Sequence, residues 1–212
     1  MTDIWTLIAA ERGALADDLA AISDADWRRT SLCPDWTIRD VVAHLTSSST
    51  LTPGRFLKAW LSHGFNLRAT MTEGMTEAAG ASPADTLANF RAVQHLTRSI
   101  PGREVGVLGE IVVHAEDIRR PLGLPRAYPS EALRLVADAF AKSNLPVGGK
   151  SRVAGLALVA TDAEWRRGAG PLVEGPLASL VLAIAGRSAA LADLSGDGVA
   201  RMVDSAAQGV TR

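Results

Sequence analysis

Apolar residues recur at three- and four-residue spacing over most of the first 145 positions, then give way to short continuous runs. Ile4, Leu7, Ile8, Leu15, Leu19 and Ile22 predict a helix from about Thr2 to Ile22. Thr37 followed by Asp40 makes an acidic capping box, so a second helix is expected from Ile38 to about Ser48, with Ile38, Val41, Val42 and Leu45 as its apolar stripe. Phe56, Leu57, Trp60 and Leu61 suggest a helical segment over Arg55 to Arg68, and residues 70–81, rich in Thr, Gly, Ala and Glu, read as a loose connection. Ser82-Pro83-Ala84-Asp85 is a helix start with cap, N1 proline and N3 acid; Leu87, Phe90, Val93 and Leu96 carry that helix to about Ser99. The next helix spans about Val105 to Arg120, where Pro121 and Gly123 stop it. Ser130 caps one more, to about Lys142.

Past the linker Asn144–Gly149, Val153 to Ala160 reads as a strand and Trp165 to Gly168 as a second. Pro176 to Gly186 is an apolar helix with proline at its start and glycine at its end. Asp193 to Gly198 resembles part of a calcium loop but lacks its spacing and terminal Glu, and reads as a turn. The pattern therefore predicts an α+β chain: a helical bundle over residues 1–145, then a small α+β domain over 150–212.

Composition narrows the function. Hydrophobic residues make up 47% of the 212 and charged residues 21%, enough to bury a core. The net charge is -1 and no basic stretch breaks it, which argues against a nucleic-acid partner. The pairs Arg28-Arg29, Arg119-Arg120 and Arg166-Arg167 read as solvated helix or strand ends. The longest apolar run, near Leu177 to Gly186, is too short for a bilayer span of about 20 residues. The start of the chain lacks the pattern of a signal peptide. Cys33 is the only cysteine, so thiolate-rich metal sites are excluded and a reducing, cytoplasmic setting is expected. No nearby residue in the sequence stands out as a helper for Cys33 as a nucleophile, and it reads as a packed or loop cysteine.

The chemistry concentrates in Leu108 to Asp117. Glu110 and His114 lie four apart, one helical turn, on one face beside Val107, Ile111, Val113 and Ile118. Such a pair is either an ordinary hydrogen-bonded couple or two ligands of a metal, since an unpaired buried charge is costly. A third ligand must come from elsewhere. His44 sits beside the apolar stripe of its helix and can face that turn in an antiparallel bundle. His63 and His95 fit surface or structural roles. Two histidines, one glutamate and an open position make a catalytic zinc set.

Three ordered segments resemble the mycothiol-dependent maleylpyruvate isomerase family, within the wider DinB/YfiT-like group of metal-binding bundles: Cys33 to Leu45, Gly109 to Gly123, and Gly155 to Arg187 in pieces. The resemblance implies a DinB-like four-helix bundle, with His44, Glu110 and His114 holding a divalent metal such as zinc and mycothiol as the thiol cosubstrate. It implies that Arg187 holds a substrate carboxylate as a catalytic residue; otherwise Arg187 is a charge at a helix C-terminus, favoured by the macrodipole. Asp117 is either an orienting partner of a ligand or a solvated residue. Expected substrates are small electrophiles, for cis-trans isomerisation or thiol S-transfer. Nothing singles out maleylpyruvate. A non-catalytic, stress-responsive metal-binding protein on the same scaffold is the alternative, as a monomer or homodimer.

Overall fold

The computed structural model describes residues 2–52, 54, 61–64, 66–99 and 102–202. They fall into two compact units, Met1–Pro125 and Arg126–Arg212.

In the first unit, α1 (Ile4–Ala21) starts where Asp3 accepts from the Thr6 amide, and it buries Leu7, Ile8, Leu15 and Leu19. The same face buries Glu11 and Arg12. Arg12 Nη1 donates to the carbonyls of Val93 and Leu96, each at 3.0 Å, and its Nη2 to Ser49 Oγ at 2.9 Å. A buried guanidinium is tolerated when its donors find acceptors. Helix α2 (Ile38–Thr50) opens with the expected capping box: Asp40 accepts from the Thr37 amide at 2.9 Å while Thr37 caps the Asp40 amide. Thr37→Ala is expected to lower stability by about 1 kcal/mol in a denaturant titration; an unchanged midpoint would contradict the role given to this cap.

The next element corrects the sequence reading. Residues 70–81 are mostly helix, α3 (Leu67–Ala79), packed against α2. A side chain in place of Gly74 would meet Ser47 Oγ at 2.5 Å, so the small residues that resemble a loop are what lets these helices approach. The expected segment over Arg55 to Arg68, with Phe56, Leu57 and Trp60, lies largely outside the described residues. Helix α4 (Pro83–Ala92) has the expected Ser82/Asp85 capping box but stops short of Ser99. Helix α5 (Glu104–Leu122) continues through Pro121 and ends at Gly123, whose φ of 68° is the left-handed cap.

Arg119 is the second correction. It is not a solvated helix end; its side chain is fully buried, and Nε donates to Asp18 Oδ2 on α1 at 2.7 Å. Arg120, by contrast, pairs with Glu116 one turn back at 3.1 Å.

In the second unit, α6 (Ser130–Lys142) buries Ala132, Leu133, Val136, Ala137 and Phe140. The short helix α7 (Gly149–Arg152) leads to a three-stranded sheet of β1 (Ala157–Ala160), β2 (Arg166–Gly168) and β3 (Leu172–Gly175). The order is β2-β1-β3, with β1/β2 antiparallel and β1/β3 parallel. Strand β3, four residues long between glycines and prolines, is not among the elements expected from sequence. Helix α8 (Leu177–Ile184) is buried almost all round. Helix α6 packs on α8, and its Asp138 accepts from Trp165 Nε1 at 3.3 Å, so contacts group α6 with the sheet rather than with the 1–145 bundle expected from sequence. None of the described helices is long and apolar enough to cross a membrane.

Candidate metal centre

Three segments of the first unit build the site: α2 supplies His44, α5 supplies Glu110, His114 and Asp117, and the loop Ser31–Trp36 supplies Cys33 and Trp36. His44 Nε2 and Glu110 Oε1 lie 3.2 Å apart, with side chains 13% and 30% exposed. The His44 and His114 rings stand edge to face with centroids 5.0 Å apart. Trp36 covers both, 5.0 Å from His44 and 6.5 Å from His114.

His114 is oriented from its other side. Its Nδ1 lies 2.9 Å from Asp117 Oδ2, one turn further along α5, and Asp117 is fully buried. An aspartate carboxylate only accepts, so Nδ1 is the ring nitrogen that donates to Asp117. Asp117 is thus buried against His114 and not solvated.

The electrostatics of Glu110 follow from its neighbours. Burial works to raise its carboxyl. The His44 hydrogen bond and charge, the His114 charge and the Ser48 hydroxyl outweigh that and hold it below the usual glutamate range. Ser48 follows His44 by four residues on α2, a spacing that marks it as a neighbour of the same site, although the Ser47–Ser49 run reads as a polar helix end.

Cys33 also has helpers that sequence proximity hides. Its Sγ lies 3.1 Å from Asp117 Oδ2 and 3.6 Å from His114 Nδ1, across more than eighty residues of chain. Leu32 N–H donates to the Asp117 main-chain carbonyl at 3.0 Å. That carbonyl is open because the residue four positions on is Pro121, which has no N–H to close the helical bond. Pro121 is thus less a stop signal than the means by which the loop docks on α5.

Among the described residues, Cys33, His114 and Asp117 are the group of His, Cys, Asp and Glu whose ligand atoms all lie within 4.8 Å of one another. His44 and Glu110 adjoin that group through the His114 ring, as a close pair of their own. His63 pairs with Glu73 at 2.9 Å and His95 is exposed, both apart from the centre. Arg187 belongs to the second unit, where it is half-buried and heads the turn Ser188–Asp193. Arg152 neighbours it, held below the usual arginine value by burial and then by the Arg187 charge.

Two imidazoles and a carboxylate are ligand types that a divalent metal takes, but among the described residues His44, Glu110 and His114 do not form a group whose ligand atoms all lie within 4.8 Å of one another. The 3.2 Å between His44 Nε2 and Glu110 Oε1 suits two donors each about 2.0–2.2 Å from one ion.

Fold and centre together define a helical bundle with a histidine–carboxylate centre, joined to a small α+β unit. Residues 8–103 match the family model of the mycothiol maleylpyruvate isomerase N-terminal domain. His44 lies within the matched stretch; Glu110 and His114 lie just beyond it. Two solved structures share the fold: a crystal structure of the mycothiol-dependent maleylpyruvate isomerase, at TM-score 0.61 and 19% identity, and one of a histidine-to-alanine mutant of it, at 0.60 and 17%. Each comparison covers 92% of this chain and 91% of the other. No curated protein matches the chain.

Proposed function

We propose that this protein is a divalent-metal-dependent enzyme that uses mycothiol to isomerise, or to add sulfur to, small electrophilic substrates bearing a carboxylate. The observation that carries the reading is the His44–Glu110 pair set against His114, in a chain whose residues 8–103 match the mycothiol maleylpyruvate isomerase N-terminal domain. His44, Glu110 and His114 would hold the ion, with zinc the metal best matched to two imidazoles and a carboxylate. When bound, such an ion lowers the pKa of a coordinating thiol and so supplies a nucleophile at neutral pH.

The protein's own residues do the rest. Asp117 keeps the proton on His114 Nδ1 and so presents Nε2. Ser48 and His44 keep Glu110 ionised. Trp36 shields the two rings from water on one side, where a low local dielectric strengthens charge interactions. In this reading Arg187 supplies the cation for a substrate carboxylate, for which a planar guanidinium is well suited. Cytoplasmic thiol chemistry is consistent with a single cysteine.

Mycothiol is expected to raise the melting temperature of the metal-loaded protein, because a ligand that binds only the native state stabilises it. The same thiol should leave the metal-stripped protein unchanged. An equal shift with and without metal would count against coordination of the thiol. A second reading has one observation in its favour: the His44–Glu110 and His114–Asp117 pairs each satisfy their partners without an ion. On that reading the cluster is structural, and elemental analysis would find no stoichiometric metal after gentle purification.

A further inference from the structure

Cys33 takes no part in the chemistry above, yet it touches the residue that orients His114. Its Sγ and the His114 Nδ1 converge on one oxygen, Asp117 Oδ2, at 3.1 and 2.9 Å. A carboxylate oxygen has lone pairs for both and no proton to give, so thiol and imidazole are both donors. The loop that carries Cys33 is bound to the same residue a second time, through Leu32 N–H and the carbonyl freed by Pro121. Inside the loop, Cys33 N–H donates to Ser31 Oγ at 3.1 Å and Trp36 N–H to the Cys33 carbonyl at 3.2 Å. The main chain that holds Cys33 therefore also sets Trp36, which lies over both histidines.

We infer that Cys33 is a positioning residue of the metal centre: its thiol, donating to Asp117 Oδ2, fixes the carboxylate on His114 Nδ1 and latches the Ser31–Trp36 loop over the imidazoles. It acts as a neutral S–H donor and not as a metal ligand. Burial supports that assignment. Cys33 is 7% exposed and Asp117 fully buried, whereas the His44 and Glu110 side chains are 13% and 30% exposed. The partners of a ligating histidine tune affinity from behind the ligand, and losing one weakens metal binding by about 10–100-fold.

The inference rests on the proposed metal site, and its test separates the two. Cobalt(II) affinity is measured by chelator competition for the native protein, Cys33→Ala and Cys33→Ser, and the Nδ1–H resonance of His114 is followed by nitrogen-15 NMR in the metal-free proteins. The expected result is about a 10-fold weaker affinity in Cys33→Ala, recovery of most of it in Cys33→Ser, and faster solvent exchange of the His114 proton in the alanine variant alone. Circular dichroism checks that all three are folded. Equal affinity and equal exchange in the native and alanine proteins would overturn the role of Cys33 while leaving the metal site intact. A sulfur-to-cobalt charge-transfer band in the native protein without added thiol, lost in Cys33→Ala, would overturn it by making Cys33 a ligand. Failure of the native protein to bind cobalt at all would overturn both the metal site and this inference.

Discussion

His44→Ala is expected to abolish stoichiometric metal binding and thiol-dependent activity together. The imidazole contributes one of the three proposed donors, and its Nε2 is also the partner of Glu110 Oε1 at 3.2 Å. Loss of a directly bound donor should exceed the about 10–100-fold seen when only a ligand's hydrogen-bond partner is removed. Truncation also strips Glu110 of the bond and charge that outweigh its burial, so its carboxyl should rise toward or past the usual glutamate range. Both changes act against a cation at that place. The fold should survive, since the ring is not fully buried and its neighbours Val41, Val42 and Leu45 keep the apolar face of α2. Metal content by elemental analysis and consumption of mycothiol are the readouts. A folded variant that keeps one metal per chain would remove His44 from the centre.

The second large effect concerns the frame behind the site. Arg119→Ala is expected to destabilise the protein by about 3 kcal/mol, the lower end of the cost of breaking a buried ion pair. The guanidinium is fully buried and joins α5 to α1 through Asp18 at 2.7 Å. Because Asp18 is itself 32% exposed, water can take over part of its solvation, which places the cost low in that range. Arg119 follows Glu110, His114 and Asp117 on one helix, so loosening the α1–α5 clamp should weaken metal retention as well as lower the denaturation midpoint. A midpoint within experimental error of the native value would show that the buried pair contributes nothing net.

Much of this was legible because local chemistry and tertiary need agree. The Thr37/Asp40 and Ser82/Asp85 boxes mark the starts of α2 and α4 in the sequence and carry the reciprocal bonds in the structure. The Glu110/His114 spacing puts both on α5, where Glu110 meets His44 and the His114 ring stands against it. What escaped the sequence shares one cause: a contact whose reason lies elsewhere in the chain. The stretch holding Gly74 looks like a connection because its smallness serves α2, not its own helix. Arg119 looks solvated because its counter-charge is on α1. Cys33 looks alone because Asp117 and His114 are more than eighty residues away, and Pro121 looks like a stop because the amide that replaces its missing N–H belongs to Leu32. The grouping of α6 with the sheet was hidden in the same way, by its packing on α8.

The central claim is that His44, Glu110 and His114 share one ion whose remaining position takes a thiol. X-ray absorption at the edge of the bound metal tests it most directly. The account predicts two imidazoles and one carboxylate oxygen at about 2.0–2.2 Å in the resting protein, joined by one sulfur at about 2.3 Å when mycothiol is added. A sulfur already present before any thiol is added, or a shell with fewer than two imidazoles, would contradict it.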